Sequence, residues 1–272
     1  MYNLKNKKIL YVLKNQNLGI GSFKRAEKFK KIFKLSDLNL YENLSLNLDL
    51  NTVEIVIYDK FIDFKIFNKF LKKNIPQYLI THPIFLEKLK QKPLKKIIKF
   101  LKGLIVPFPE DTEIINLFKN FSCNLYFVDF TEIVPEKNII KEELSKYKIN
   151  EKYIIAVSGG GGWKNSEKLY SYVFNNYPDI LKIFIYGSLY KEKTFFTPSS
   201  SSLIELYNLS NPKVLMAGAE MIFCRGGLNT LSEICNYKIP IFCSPEETLF
   251  SGEIFNLNFF MKKNSYINFI HI

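Results

Sequence analysis

The apolar positions of the chain form short continuous runs that alternate with longer amphipathic stretches. Runs such as KKILYVL (7–13) and VEIVIYD (53–59) are typical of strands that are buried on both faces. In FKRAEKFKKIF (23–33) the apolar residues recur every three or four positions with lysines between them, which predicts a helix. Further strands are predicted at 77–82, 103–108 and 123–130, and further helices at 61–71 and 84–101. The alternation predicts an α/β fold, in which helices cover both faces of a parallel sheet.

The same pattern restarts in the second half of the chain. A strand at 152–158 is followed by the loop GGGG and by a helix at 163–174. Further strands are predicted at 181–187, 202–209, 220–224 and 239–243, and further helices at 211–217, 228–237 and 253–262. Because each half begins with a strand, a glycine-rich loop and a helix, we expect two Rossmann-like domains, 1–135 and 150–272. The polar, helix-prone segment 134–147 is interpreted as the linker, and the cleft between the domains is the expected ligand site.

The net charge of +12 is unevenly distributed along the chain. Residues 1–137 carry 24 Lys and Arg against 14 Asp and Glu, whereas residues 138–272 carry 14 against 12. A basic first half suits an anionic partner such as a membrane surface or a phosphorylated substrate. An A+T-rich coding sequence would also explain the many lysines, although it would not place the excess in one half. Nucleic acid is disfavoured as a partner. The aromatic residues are spaced like residues of a hydrophobic core, and no known nucleic-acid-binding motif is present.

The four cysteines, Cys123, Cys224, Cys235 and Cys243, are scattered along the chain. They form no C-x-x-C pair and no cluster with histidine, so we expect no metal site. Reduced thiols of this kind favour a cytoplasmic protein. The apolar runs fall well short of the roughly 20 residues that a membrane-spanning helix needs.

Eight of the twelve glycines lie in three loops, each of which follows a predicted strand and precedes a predicted helix. The loops contain Gly19 and Gly21, Gly159 to Gly162, and Gly226 and Gly227. Glycine permits a tight turn and a close approach of a ligand to the backbone, and the following helix offers free N–H groups to a phosphate. Glycine in such turns is also common for geometric reasons alone. No loop fits the dinucleotide fingerprint well, and no P-loop motif is present.

Only two arginines occur beside thirty-six lysines, and each lies next to a glycine loop. Where lysine is so strongly preferred, a retained arginine suggests a task that lysine cannot perform, such as bidentate binding of a diphosphate or carboxylate. A structural ion pair is the alternative for both Arg25 and Arg225. Glu233 lies two turns after Gly227, where a carboxylate could accept hydrogen bonds from a ribose. The alternative for Glu233 is a solvated position on a helix.

The segment MAGAEMIFCRGGLNTLSEICNYKIPIFCSP resembles the donor-binding signature of glycosyltransferase family 28, R-[SG]-G-x-x-T-x-x-E followed by x-P. The matching residues are Arg225, Gly226, Gly227, Thr230, Glu233 and Pro240. VSGGGG is similar to the glycine loop that opens the same domain. LGIGSFKRAEKF resembles the first-domain loop G-x-G-H-x-x-R-x-x-x-L, with Gly19, Gly21 and Arg25 in register. The resemblance spans most of the chain and is stronger over 152–260.

This resemblance implies a GT-B fold, with two Rossmann-like domains facing a cleft. It implies a metal-independent transferase without a cofactor, which moves a sugar from a UDP-sugar to a lipid-linked or glycan acceptor in envelope or surface-glycan synthesis. The acceptor would bind in the first domain, with a lipid-diphosphate acceptor reached at the inner membrane face. The donor would bind in the second domain. The implied donor-site residues are Gly159, Gly160, Gly161, Gly162, Arg225, Gly226, Gly227, Asn229, Thr230, Glu233, Glu246 and Glu247, and Asn256 fits the family pattern.

The main departure from the family is Ser22, which stands where a histidine is the expected general base. A serine cannot take a proton at neutral pH without help. Asp59 and His82, each at the end of a predicted strand, are therefore the candidate catalytic bases, although both could be structural. Two other functions stay open. One is a UDP-sugar hydrolase like that of the pseudaminic acid pathway, and the other is a non-catalytic nucleotide-sugar binder or the partner of a separate acceptor subunit.

Overall fold

The computed structural model of the protein describes residues 4, 7–13, 21–35, 38–42, 51–159, 166–187, 202–209, 211–245 and 252–272, with only the backbone at 21, 22 and 39–42. The chain divides into two compact units, Met1–Phe130 and Thr131–Ile272. Each unit contains a six-stranded sheet whose strands pair in parallel. The predicted parallel sheets with helical crossovers are therefore present in both halves.

The first sheet has the strand order β2-β1-β3-β4-β5-β6. Its strands are β1 (Ile9–Leu13), β2 (Leu38–Glu42), β3 (Ile55–Asp59), β4 (Gln77–Ile80), β5 (Gly103–Val106) and β6 (Asn124–Phe127). Every residue of β1, β3, β4 and β5 is buried, which explains why these strands read as continuous apolar runs. The strand order reverses between β1 and β3, so the carboxyl ends of these two strands form a topological switch point.

The helices of the first unit are α1 (Gly21–Ile32), α2 (Phe64–Lys72), a 3₁₀ turn (Pro83–Phe85), α3 (Leu86–Lys90), α4 (Lys92–Ile98) and α5 (Thr112–Phe118). The prediction of one helix over 84–101 was wrong. Gln91 adopts an extended conformation, and Pro93 lies in the first turn of α4. Proline lacks the N–H that would continue the preceding helix but suits the start of a new one, so α3 ends and α4 begins there.

The second sheet has the order β12-β11-β10-β7-β8-β9. Its strands are β7 (Tyr153–Val157), β8 (Leu181–Tyr186), β9 (Leu203–Tyr207), β10 (Met221–Cys224), β11 (Ile241–Cys243) and β12 (Ile267–Phe269). Counted within this unit, the arrangement is the doubly wound 3-2-1-4-5-6 order of a Rossmann fold. The order reverses between β7 and β10, which pair directly in parallel. The carboxyl ends of these two strands therefore form the switch point of the second sheet.

The helices of the second unit are α6 (Lys137–Lys146), α7 (Ser166–Asn176), α8 (Pro212–Ala217), α9 (Leu228–Ile234) and α10 (Glu253–Met261). The segment interpreted as the linker forms α6, which belongs to the second unit and contacts α8. The close contact depends on Gly218, because a Cβ there would lie 2.8 Å from the Ile140 side chain and 2.7 Å from the Tyr153 hydroxyl. Helix α6 is thus part of the packing of this unit.

Candidate functional site

Two glycine-containing turns meet at the switch point of the second sheet. Ser158 and Gly159 follow β7, and Arg225, Gly226 and Gly227 follow the neighbouring strand β10. In open α/β sheets, ligands bind outside the carboxyl ends of the strands at this point. Gly159, Gly226, Gly227 and Arg225, which the sequence assigned to the donor site, are therefore brought to the place where the fold favours a ligand.

The backbone at these turns uses the properties of glycine directly. Gly159 and Gly226 have φ angles of +78° and +86°, which side chains with a Cβ rarely adopt. A Cβ built on Gly159 or Gly227 would meet no described atom within 4 Å. Among the described residues, the Cβ side of Gly159 and of Gly227 is therefore unobstructed.

Arg225 is buried and forms an ion pair with Glu253, the first residue of α10. The Arg225 Nη2 atom donates to Glu253 Oε1 over 2.9 Å, and the two side chains are 6% and 9% exposed. The Asn256 side chain, one turn later, donates to the Gly226 carbonyl over 3.3 Å. The first turn of α10 therefore holds both the guanidinium and the backbone of the Arg225–Gly226 turn in place.

Glu253 is a site residue that the sequence analysis missed. The signal was present in the pattern, because Glu253 lies three residues before Asn256 and therefore on the same side of α10. Asn256 was recognised only as a match to the family pattern. The structure gives it a physical function, since its amide anchors the Gly226 carbonyl.

Helix α9 begins after Gly227 and carries three further predicted donor-site residues. Asn229, Thr230 and Glu233 are each partly buried, and three or four positions separate Glu233 from the other two. Such spacing places side chains on one side of a helix. Asn229, Thr230 and Glu233 therefore lie together, on the helix that starts at the switch point.

A buried network fixes the end of β7 beside these turns. The Tyr170 hydroxyl on α7 donates to the Ile185 carbonyl over 2.6 Å and lies 2.9 Å from Ser158 Oγ. It also accepts from the Ser158 N–H over 3.1 Å. The network ties β7 and β8 to α7 directly before Gly159. Gly160, Gly161, Gly162, Glu246 and Glu247 lie outside the described residues, so their assignment stays a prediction.

In the first unit, Arg25 and Asp59 form a buried ion pair at the end of β3. The guanidinium donates from Nη2 to Asp59 Oδ1 over 2.9 Å and from Nε to both carboxylate oxygens over 3.1–3.2 Å. The Tyr11 hydroxyl donates to Asp59 Oδ2 over 3.1 Å. Burial raises the pKa of Tyr11 well above its ordinary value, and the Asp59 carboxylate adds to this effect. Burial lowers the pKa of Arg25, but the Asp59 carboxylate outweighs it and raises that pKa.

The two predicted catalytic bases therefore have structural partners. The Asp59 side chain has no exposed surface and is bound by Arg25, which favours a role in holding α1 against β3. His82 is also buried, and its Nδ1 atom accepts from the Ile84 N–H over 3.2 Å at the start of the 3₁₀ turn. The His82 ring packs edge-on against Phe108, with centroids 5.1 Å apart. The assignment of either residue as a base stays a prediction.

Of the first-domain glycine loop, Gly19 lies outside the described residues. Gly21 and Ser22 form the start of α1, and Arg25 lies one turn later. The residue directly after Asp59 is Lys60, a lysine with a left-handed backbone, φ 61°. The sequence analysis did not select it, because one lysine among thirty-six carries no distinguishing pattern.

The described part of the chain contains neither a metal-binding cluster nor a membrane-spanning helix. No group of three or more His, Cys, Asp or Glu residues there could hold a metal ion. None of the helices described is both long and apolar enough to cross a membrane.

No protein-family model matches the chain, and no curated protein does either. Solved structures match it over most of its length. A UDP-glucosyltransferase from Polygonum tinctorium, capable of glucosylating indoxyl, has a TM-score of 0.62 at 10% identity, over 94% of this chain and 83% of that chain. Phytolacca americana UGT2, complexed with UDP-2fluoro-glucose and pterostilbene, has a TM-score of 0.61 at 12% identity, over 94% of this chain and 84% of that chain. Anabaena HepE, in complex with UDP-glucose, has a TM-score of 0.54 at 9% identity, over 87% of this chain and 80% of that chain.

At these identities the likeness shows the fold and not the activity. The predicted α/β fold with two parallel sheets is confirmed, and it is the fold of the GT-B glycosyltransferases. The narrower resemblance to glycosyltransferase family 28 has no support among these matches. The chain thus has the two-sheet architecture of the GT-B glycosyltransferases, with Arg225 and two left-handed glycines at the switch point of its second sheet.

Proposed function

We propose that the protein transfers a sugar from a UDP-sugar donor to an acceptor hydroxyl. The observation that carries the proposal is the switch point of the second sheet. There Arg225 and the glycines Gly159, Gly226 and Gly227 lie at the adjacent carboxyl ends of β7 and β10. A guanidinium beside the peptide groups of such glycine turns suits an anionic group such as a diphosphate.

The donor class is supported by fold analogy. Phytolacca americana UGT2 and Anabaena HepE share the fold and were solved with UDP-2fluoro-glucose and UDP-glucose respectively. In this chain, Arg225 would bind the diphosphate and Glu233 the ribose, with Asn229 and Thr230 on neighbouring groups. Glu253 would hold the guanidinium in its binding orientation.

The leaving diphosphate would be stabilised by the guanidinium and by backbone N–H groups, without a metal ion or a cofactor. Preorganised donors of this kind commonly provide the largest single stabilisation of developing charge. The activity should therefore persist in EDTA.

The acceptor is proposed to be a lipid-linked diphosphate or a glycan of the cell envelope, bound by the first unit. Support comes from a surface at the start of α2 that we call the α2 surface: Phe61, Phe64, Lys65 and Lys69. Phe61 and Phe64 are 38% and 47% exposed beside the two lysines. Exposed aromatic rings beside lysines suit an anionic, partly apolar ligand or the inner face of a membrane. A cytoplasmic protein that binds this membrane face at its periphery would reach such an acceptor.

The test is to incubate the protein with a panel of UDP-sugars, with and without a bacterial lipid extract, and to identify the nucleotide released. Release of UDP that requires the extract, and that survives EDTA, supports the transferase. Release of UMP and a sugar phosphate without an acceptor would instead identify the hydrolase. Binding of UDP-sugar without turnover would identify the non-catalytic binder or a missing partner subunit. An Arg225→Lys variant should bind the donor more weakly, whereas the matched surface variant Lys238→Met should bind it like the wild type.

A further inference from the structure

Lys60 has a left-handed backbone conformation that no helix end accounts for. Among the described residues other than glycine, φ is positive at Lys34, Lys60, Asn74, Lys148 and Asn208. Lys34, Asn74 and Lys148 directly follow helices, where a left-handed residue commonly ends the helix. Asn208 follows a strand, but asparagine tolerates this conformation. Lys60 is thus the one lysine in the described residues that is held left-handed at the end of a strand.

The surroundings of Lys60 fix this conformation and direct its side chain. Its N–H donates to the Ile80 carbonyl over 2.9 Å, which ties the end of β3 to the end of β4. Its Nζ atom lies 5.5 Å from the centroid of the Phe85 ring, in the 3₁₀ turn that follows β4. Part of the residue remains exposed. The amine therefore lies at the carboxyl ends of β3 and β4, on the edge of the sheet that also contains the switch point between β1 and β3.

We propose that the Lys60 amine is the general base for the acceptor hydroxyl. This inference rests on the sugar transfer proposed above. The neutral amine takes the hydroxyl proton while the acceptor oxygen attacks the anomeric carbon of the donor. The bond from that carbon to the diphosphate oxygen breaks, and UDP leaves with the electron pair. The ammonium of Lys60 then releases its proton to water.

The charges around Lys60 favour a neutral amine. Burial, and after it the Arg25 guanidinium, lower the pKa of Lys60 to about 7, while the Asp59 carboxylate opposes this shift. Among the described residues, Tyr11, which donates to Asp59, and His82, whose ring packs against Phe85, are the other titratable groups in contact with these neighbours of Lys60. A general base is most effective when its pKa lies near the working pH, and burial is the usual means of bringing a lysine there.

The position of Lys60 also fits the absence of the histidine that the resembled family has in its first-domain loop. Ser22 stands where the resembled family has its histidine, and Arg25 lies one helical turn after Ser22. The Arg25 guanidinium is bound to Asp59, the residue directly before Lys60. The Arg25–Asp59 ion pair therefore joins α1 to the residue directly before Lys60. Asp59 and His82 are themselves held by Arg25 and by the Ile84 N–H, which leaves Lys60 as the better base.

The first test measures the amine without any assay of activity. The protein is acetylated briefly at a series of pH values between 6 and 10, and each lysine peptide is quantified by mass spectrometry. Lys34 is the reference, because it is an exposed lysine with the same left-handed backbone. We expect the ratio of the Lys60 rate to the Lys34 rate to be largest at the low end of this range and to fall as the pH rises through about 7. A ratio that does not change with pH would overturn the proposal.

The second test uses acceptor-dependent release of UDP. For the wild type, kcat should fall as the pH drops through about 7, because the amine becomes protonated. In Lys60→Met, kcat should fall by about 100- to 10,000-fold and lose this pH dependence, with UDP affinity unchanged. Lys60→Arg keeps the positive charge but cannot act as a base near neutral pH, and it should be equally inactive. The control Lys34→Met should behave like the wild type.

A variant that lost activity only through misfolding is detected by restoring the amine. Lys60→Cys, treated with bromoethylamine, regains an aminated side chain and should recover activity, whereas the treated wild type should be unchanged. If the wild type transfers sugar but Lys60→Met retains kcat within threefold and the same pH profile, Lys60 is not the base, and the transferase stands. If the wild type releases no UDP with any donor and acceptor, the proposed function fails, and the role of Lys60 in transfer fails with it.

Discussion

The two units place their arginines in opposite arrangements. In the first unit the carboxylate follows the strand and the arginine is on the helix, since Asp59 ends β3 and Arg25 lies in α1. In the second unit the arginine follows the strand and the carboxylate is on the helix, since Arg225 follows β10 and Glu253 begins α10. Both pairs are buried at the carboxyl ends of their strands.

The difference in arrangement implies a difference in function. Arg25 binds both carboxylate oxygens of Asp59, which also accepts from Tyr11, and this network joins the strand, the helix and β1. Arg225 instead lies in the turn itself, next to Gly226 and to Gly227, where an added Cβ would meet no described atom within 4 Å. Under the proposed function, this arginine would bind the diphosphate of the donor. We therefore expect the first pair to determine stability and the second to determine affinity.

The largest expected effect is the loss of stability in Arg25→Met. Removing the cation leaves the Asp59 carboxylate buried without its partner, which costs about 3–5 kcal/mol in the free energy of unfolding. Denaturation in urea measures this loss, and hydrogen exchange of the β3 peptides assigns it to the first unit. Affinity for UDP, measured by calorimetry on the folded fraction, should not change.

A second substitution distinguishes charge from packing. Asp59→Asn removes the buried charge and keeps an oxygen that can accept from Tyr11. The double variant of Arg25→Met and Asp59→Asn should recover about half of the lost stability or more, because no unpaired charge remains. A double variant less stable than Arg25→Met alone would contradict the interpretation of the pair as structural.

Arg225→Lys should give the second largest effect, on donor affinity. Lysine keeps the charge but loses the planar fork of donors that binds a diphosphate. Hydrogen bonds to charged groups contribute about 1.5–3 kcal/mol, so the Kd for UDP should rise by about 10- to 100-fold. Calorimetry with UDP measures it, and Lys238→Met, an exposed lysine of the same unit, is the control. An unchanged Kd would contradict the diphosphate role of Arg225.

The pattern of apolar residues predicted the central elements of the fold and missed elements of two kinds. Central strands such as β1 and β7 are buried throughout, so each reads as an unbroken apolar run. Strands β2 and β12 lie at the edges of the sheets, and β12 has only three residues, one of them buried. Helix α5 is short, although Asp111 caps its first turn by accepting from the Glu113 N–H. Short edge strands and helices of about two turns bury too few residues for periodicity to reveal them.

The candidate site likewise contains residues that the sequence pattern revealed and residues that it did not. The sequence selected Arg225, Gly226 and Gly227 because a rare residue and a glycine pair stand out in one stretch of chain. It did not select Glu253 or Lys60, since what distinguishes them is a contact with Arg225 in one case and a left-handed backbone at a strand end in the other. Such properties depend on how distant segments meet, and one sequence does not record them.

Two glycine substitutions compare the proposed donor turn with an ordinary strand, by measuring stability and UDP affinity. A Cβ on Gly103 would lie 2.4 Å from the Tyr126 ring and 2.8 Å from the Asn124 carbonyl. Gly103→Ala should therefore destabilise the first unit by about 1–3 kcal/mol without changing UDP affinity.

A Cβ on Gly227 meets no described atom within 4 Å. Because Gly227 caps the start of α9, Gly227→Ala should lower the free energy of unfolding by about 1 kcal/mol or less. It should also weaken UDP binding, because the added methyl group would lie beside the proposed diphosphate site.

The last contrast is a difference in how stability changes with pH. The pKa of Lys60 is about 7 in the folded protein, below the ordinary value for lysine, because burial and Arg25 disfavour its charge. Between about pH 7 and pH 10 the unfolded chain therefore binds a proton that the folded protein does not. The wild type should gain stability relative to Lys60→Met as the pH rises through this range, and should gain nothing more below it. Urea denaturation of both proteins at pH 6, 7, 8 and 9 measures the difference, in which contributions common to both cancel. A difference that is constant over this range would mean that Lys60 keeps its charge in the folded protein, and the contrast between a neutral amine in the first unit and a charged guanidinium in the second would be lost.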